Sequence, residues 1–243
     1  MISSLSNEKI KLVRSLKERK YRDKLSLFLV EGVKSVFEAS EKAEICFVLV
    51  TPLLEEQAPK NCEVLVVTDK VFASVTDETT PQGMLAVVKK PQQKKCDKFL
   101  GKGLLLDRVR DPGNLGTIIR TAVATGFRSI FLIDTVDPYA PKVVRASMGG
   151  IFSVEFYFVT PSQVKDLGVN VISADINGEN IFEFVPPSSY LLAIGNEGAG
   201  LSDEIVNLST STVCLPMEKG IESLNAGVSA GVLMYLLRYG KNC

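Results

Sequence analysis

The 243-residue sequence predicts an α/β fold in two domains. Three observations point there. Strand-like apolar runs alternate with helical stretches along nearly the whole chain, the pattern of α/β proteins. Runs such as "SIFLID" and "YLLAIG" are apolar at almost every position, which suits parallel strands covered on both faces. Between two alternating regions lies "KKPQQKKCDKFLGKG" (89–103), polar and basic with Pro and Gly, the composition of a linker. The predicted division is a small α/β domain over 1–90, a linker over 91–102 and a larger parallel-sheet domain over 103–243.

A basic helix is expected over about 7–24, with Leu12, Val13 and Leu16 on one side and Lys11, Arg14 and Arg22 on the other. Residues 8–24 carry eight Lys/Arg against three acids in a chain whose formal net charge is zero. That local excess points to an anionic partner. Strands follow at 26–30, 45–50, 63–67 and 83–88, with helices at 33–40 and 69–75. In the second half, strands are expected at 103–107, 129–134, 153–159, 169–174, 190–195 and 211–215. Helices are expected near 113–125, 142–148, 161–167, 202–207 and 222–238.

The chain has no histidine. That removes Ser-His-Asp chemistry, a histidine general base and the common histidine zinc sites. The five cysteines show no paired spacing and read as reduced core thiols, with no metal site. The first residues lack the apolar core of a signal peptide, and no run is long and apolar enough to span a membrane. A cytoplasmic protein is expected.

Three of the best strands end in unusual loops, and in open α/β sheets ligands bind beyond the carboxyl ends of strands. "LLLDRVRDPGN" opens a helix, with Asp111 as N-cap and Pro112 at its first position. The helix has an apolar stripe of Leu115, Ile118, Ile119, Ala122 and Val123. Its other face carries Gly116, Thr117, Thr121, Ala124 and one cation, Arg120. "LLAIGNEGAGLSDEI" sets Gly195, Gly198 and Gly200 straight after a strand, with Glu197 among them. It is neither a G-x-G-x-x-G fingerprint nor a Walker A loop. "VCLPMEKGIESLNAGVSAGVLMYLLRYG" ends a strand and opens a helix near Ser223. No charged residue occurs from Ser223 to Leu237. A helix uncharged all round must be covered, either in the core or at a homodimer interface.

Together these segments closely resemble the three motifs of the SpoU (TrmH-type) RNA ribose 2′-O-methyltransferases of the SPOUT superfamily. The motifs are D-P-x-N-x-G-x-x-x-R-T-A, G-x-E-x-x-G-(L/M)-S, and I-P-M followed by S-L-N-V-(S/A)-V-A, in the same order and at matching separations. "KVVRASMGGIF" (142–152) looks like the family's R-x-S-x-G-A-x-F segment. Residues 7–88, through "YRDKLSLFLVEG" and "TPQGMLAVV", resemble its L30e-like substrate-binding module. The resemblance implies a deep trefoil knot, a homodimer packed through the C-terminal domain, and S-adenosylmethionine as cofactor. Carried over by position, Asn114, Arg120, Glu197, Ser223 and Asn225 match the polar active-site residues. Gly195, Leu215 and Leu224 match positions that hold the cofactor, largely through backbone. Asn225 is followed by Ala226-Gly227 and Phe152 by Ser-Val-Glu, both departures from the commoner pattern.

The implied reaction is methyl transfer to a ribose hydroxyl, which needs alignment and a cation near the developing alkoxide. Arg120 is the fixed cation among the matched positions and is assigned to the 2′-OH and its phosphate. A guanidinium gives up its proton too reluctantly to be an easy base, so the proton is expected to leave to RNA phosphate or water. Glu197 is expected to hold geometry by hydrogen bonding to Asn114 or Arg120. Lys11, Arg14 and Arg22 are expected to track RNA phosphates. Ribosomal RNA is the expected substrate, with tRNA as the alternative. Other readings are a catalytically silent RNA-binding protein and, disfavoured by the missing fingerprint, a nucleotide-dependent oxidoreductase. A resistance methyltransferase shares the same motifs.

Overall fold

The computed structural model describes residues 1–220 and 223–240. It divides into two compact units, one of residues 1–92 with 137–152, the other of 93–136 with 153–243.

The first unit holds a four-stranded sheet in the order β1 (Leu27–Glu31), β4 (Met84–Lys89), β2 (Ile45–Val50) and β3 (Val64–Val66). β4 runs antiparallel to both neighbours, while β2 and β3 are parallel. Helices α1 (Glu8–Ser15) and α4 (Asp69–Val75) bring Ile10, Val13, Val71, Phe72 and Val75 onto Leu29, Phe47, Leu49, Leu85 and Val87. Full burial of each such side chain contributes roughly 1.5–3 kcal/mol. Helix α3 (Val33–Lys42) completes the α/β arrangement.

The single basic helix expected over 7–24 is in fact two. α1 ends at Ser15 and α2 spans Arg19–Leu25. The reason lies in Arg22, which is 3% exposed and turned inward. Its Nη1 donates to the carbonyls of Leu16 and Lys17 at 2.9 and 2.7 Å, at the frayed end of α1. Its Nε and Nη2 donate to Oδ2 of Asp137 at 2.8 and 2.7 Å. The guanidinium thus satisfies carbonyls that a helix end leaves unpaired. The expectation that Arg22 meets RNA phosphate is therefore corrected: its donors are spent on a buried ion pair and two carbonyls. Lys11 and Arg14 stay exposed on α1, and Lys11 bonds Glu8 at 2.9 Å.

Asp137 belongs to a stretch that the expected boundary placed with the larger domain. Residues 137–152, with α6 (Pro141–Ala146), instead join the first unit. The Phe28 ring meets Tyr139 and Phe152 at 5.0 and 6.4 Å between centroids. Arg145 pairs with Glu78 at 2.6 Å and Glu31 at 3.6 Å. These aromatic and charged contacts, together with Arg22, hold the segment to the first unit.

The second unit is built on a six-stranded, all-parallel sheet. Its order is β10 (Ser211–Cys214), β8 (Asn170–Asn180), β9 (Tyr190–Ile194), β5 (Lys102–Asp107), β6 (Ser129–Ile133) and β7 (Glu155–Phe158). β9 is buried at every position, as its apolar sequence predicts, and the edge strands β7 and β10 are partly open. β8 runs longer than expected because Gly178 lets the backbone of Val213 approach where a Cβ would overlap it. Helices α5 (Pro112–Thr125), α7 (Pro161–Asp166), α8 (Asp203–Leu208) and α9 (Ala226–Tyr239) flank the sheet.

Helix α9 begins at Ala226, not 222, because Asn225 is its N-cap. It packs on the face of α5 that lacked apolar residues. A Cβ at Gly227 would touch Thr117 at 3.5 Å, and one at Gly231 would touch Thr121 at 3.6 Å. The Thr121 and Thr125 hydroxyls donate back to carbonyls one turn earlier, Thr117 at 2.9 Å and Thr121 at 2.8 Å. The glycines let the two helices approach closely at Thr117 and Thr121, while Arg120 and Ala124 of the same face stay exposed. Cys46, Cys62, Cys96 and Cys214 are free thiols, half-buried where core thiols were expected. Burial pushes the first three thiols up. Cys243 lies outside the described residues.

Candidate active site

The site is assembled at the carboxyl ends of β5 and β9 and at the start of α9. Asp111 caps α5, its Oδ1 accepting from Asn114 N–H at 2.8 Å. That places Asn114 in the first turn with its side chain free to bond elsewhere. Its Nδ2 donates to Oε1 of Glu197 at 2.9 Å, and its Oδ1 accepts from Nδ2 of Asn225 at 2.9 Å. Asn225 in turn caps α9, its Oδ1 accepting from Gly227 and Val228 N–H at 2.9 and 3.2 Å. A continuous chain of hydrogen bonds therefore runs from Glu197 through Asn114 and Asn225 into the helix. It joins all three loops singled out in the sequence.

The glycine loop reaches this point because Gly195 has no side chain. A Cβ there would overlap the backbone of Gly200 and Leu201, which closes back on the strand end. Asn196 and Gly200 exchange backbone hydrogen bonds at 2.9 and 3.0 Å. Oδ1 of Asn196 accepts from Gly198 and Ala199 N–H at 3.0 and 2.9 Å. Glu197 is lifted to the tip. Burial raises its carboxyl pKa, but hydrogen bonds from the Asn114 side chain and from the Glu197, Asp111 and Arg110 backbone outweigh burial. The net effect holds it below the ordinary glutamate range.

Arg120 lies on the exposed side of α5, about 9 Å along the helix axis from Asn114 at 1.5 Å per residue. Of the two partners foreseen for Glu197, the hydrogen bond goes to Asn114. Ser223 and Leu224 are exposed beside the Asn225 cap, and Leu215 is half-buried after β10. Asn114 is thus in direct contact with both Glu197 and Asn225, while Arg120 and Ser223 are exposed.

Residues that the sequence reading passed over also shape the site. Arg108 and Arg110 flank the end of β5, and Arg110 pairs with Asp134 through both Nη atoms. Asp107 is wholly buried beneath the glycine loop. The only sequence signal was a charged cluster, "DRVRD", at the end of an apolar strand. No group of three or more His, Cys, Asp or Glu able to hold a metal occurs among the described residues. No described helix is long and apolar enough to cross a membrane.

The chain is 34% identical to a 23S rRNA (guanosine(2553)-2′-O)-methyltransferase of Bacillus subtilis, over 98% of each chain. It is 37% identical over 55% of its length to a 23S rRNA (uridine(2479)-2′-O)-methyltransferase of Streptomyces viridochromogenes, covering 50% of that protein. An AdoMet-bound rRNA methyltransferase from Sinorhizobium meliloti superposes with a TM-score of 0.87 at 30% identity, covering 98% of this chain and 96% of that one. A model of an MRM3-like substrate binding domain matches residues 7–86. The SpoU rRNA methylase model spans residues 102–235, which takes in the Asn114–Glu197–Asn225 chain and both strands that carry it, and the chain belongs to that family.

Proposed function

We propose that the protein transfers a methyl group from S-adenosylmethionine to a ribose 2′-hydroxyl of ribosomal RNA. The observation that carries this reading is the hydrogen-bonded chain Glu197–Asn114–Asn225, which joins three loops of a SpoU-family fold at one point. The residues present fit the cofactor. Gly198, Ala199 and Gly200 expose backbone rather than side chain, and Leu224 offers an apolar surface next to the Asn225 cap. Gly195, Leu215 and Leu224 would hold the cofactor through backbone groups. S-adenosylmethionine supplies an already activated methyl group.

The chain's own residues orient and stabilise. Arg120 presents a planar set of donors toward the ribose 2′-oxygen and the adjoining phosphate, where negative charge develops. Glu197, ionised and bonded to Asn114, fixes the mouth of the site. Ser223 and Asn225 hold the third loop against it. With no histidine in the chain, the 2′-OH proton passes to RNA phosphate or water.

Ribosomal RNA is favoured over tRNA because one whole-length relative is named for 23S rRNA, whereas a structure concerned with methylation at position 34 of tRNA covers only 58% of this chain. The first unit would act as the RNA-binding module, with Lys11 and Arg14 on phosphates. The family likeness also supports the trefoil knot and a homodimer. For the dimer there is a surface: Val228, Val232, Tyr235 and Tyr239 recur along one exposed side of α9. A cytoplasmic setting accords with the bacterial 23S rRNA relative. Mapping 2′-O-methyl groups across total RNA with and without the gene tests the proposal. Loss of one rRNA site is expected, and an unchanged map contradicts it.

A further inference from the structure

We propose that Arg108 is a positioning residue whose guanidinium holds the base of the glycine loop in the shape that receives the cofactor. The inference rests on the methyltransferase reading above and deepens it.

Arg108 has a backbone φ of +57°, in the left-handed region. Glycine occupies that region freely, while a residue with a Cβ is strained there unless its surroundings hold it. The surroundings here engage both backbone groups and one guanidinium nitrogen, and set a second beside a carboxylate. Its N–H donates to the Ile133 carbonyl at 2.9 Å, at the end of β6. Its carbonyl accepts from Nδ2 of Asn196 at 3.0 Å. Its Nη2 donates to the Gly200 carbonyl at 3.4 Å. Its Nε lies 3.4 Å from Oδ1 of Asp107.

Asp107 makes the arrangement more than a surface contact. It is fully buried, and its Oδ2 accepts from Ser202 N–H at 2.6 Å. Its Oδ1 has no hydrogen-bond partner among the described residues, so Arg108 is the charge that balances it. A buried carboxylate without such compensation is costly. The two residues therefore grip the loop at both ends, at Asn196 and at Gly200–Ser202. Glu197 is bonded chiefly from the tip by Asn114, and Nδ2 of Asn196 reaches both its Oε2 at 3.4 Å and the Arg108 carbonyl.

The backbone bonds of position 108 need only its N–H and C=O, which glycine supplies without strain. What arginine adds is the guanidinium on Gly200 and Asp107. The guanidinium at this strained position thus serves both the glycine loop and the buried charge of Asp107.

Arg108→Gly separates the two roles, because it relieves the backbone while deleting the guanidinium. Thermal melting, S-adenosylhomocysteine calorimetry and amide exchange over 196–200 should be measured on wild type, Arg108→Gly, Arg108→Ala and Arg108→Lys. Arg108→Gly should melt above Arg108→Ala, because it relieves the backbone, and both below wild type, because both leave Asp107 unbalanced. Both should bind S-adenosylhomocysteine roughly tenfold more weakly, as for loss of one charge-assisted hydrogen bond. Arg108→Lys should recover part of that affinity. Loop amides should exchange faster in the glycine variant, and RNA affinity should stay unchanged. Binding within twofold of wild type together with unchanged exchange in Arg108→Gly would overturn the proposal. A wild-type chain that binds no S-adenosylhomocysteine contradicts the methyltransferase reading instead, and loop exchange still decides the role of Arg108.

Discussion

Asn225 donates from Nδ2 to Oδ1 of Asn114 at 2.9 Å while its own Oδ1 caps α9. One side chain therefore serves two ends. It satisfies orphan N–H groups of a helix, and it fixes the amide that bonds Glu197. Asparagine suits the position because it offers both a donor and an acceptor.

Asn225→Asp tests that division. Aspartate keeps the cap but offers no donor to Asn114, and sets a carboxylate against an oxygen. Melting temperature should stay close to wild type while kcat/KM falls at least tenfold. Asn225→Ala loses the cap as well, and should cost about 1 kcal/mol in urea unfolding. Equal activity in Asn225→Asp and wild type would remove the relay from the site.

The pH dependence follows from Glu197. Its carboxyl is held below the ordinary value of 4.5, so ionised Glu197 favours the ordered loop. That contribution is complete above 4.5 and is lost as pH falls through the depressed value. Affinity for S-adenosylhomocysteine should accordingly be flat from pH 8 down to pH 5 and weaken only in more acid solution. A midpoint near pH 6 would assign the titration to another group.

Arg22 and Asp137 form a buried ion pair at 2.7 Å. Removing one partner strands a charge, which typically costs about 3–5 kcal/mol. Asp137→Ala should therefore destabilise the protein strongly in urea. Replacing the pair together, Arg22→Met with Asp137→Leu, should recover much of the loss. A mild effect of Asp137→Ala would mean that water reaches Arg22.

The exposed stripe on α9 predicts the oligomeric state. Tyr235→Glu places a charge in the middle of Val228, Val232 and Tyr239. Light scattering should find a dimer for wild type and a monomer for Tyr235→Glu. A monomeric wild type would leave the stripe without its proposed cover.

Much of this was legible because the signals were local. β9 reads as a buried parallel strand from its own residues, and Asp111-Pro112 announces the start of α5. The three loops could be singled out from glycines, caps and missing charge. What was not legible depends on contacts far apart in the chain. The break between α1 and α2 rests on Arg22 meeting Asp137, 115 residues away. Thr117 and Thr121 on one face of α5 made sense only against Gly227 and Gly231 of α9. Arg108 gave no sign of its backbone strain, since nothing in "DRVRD" fixes a left-handed φ.

On the proposal above, this site methylates a ribose hydroxyl with Arg120 as its cation. Transfer of radiolabel from S-adenosylmethionine to 23S rRNA, with wild type and Arg120→Ala in parallel, tests it most directly. Wild type should place label on a single 2′-oxygen. Arg120→Ala should lose at least about 100-fold in kcat, the scale for removing one transition-state donor, with S-adenosylhomocysteine affinity within a few fold. Normal transfer by Arg120→Ala, or none by wild type, would contradict the account.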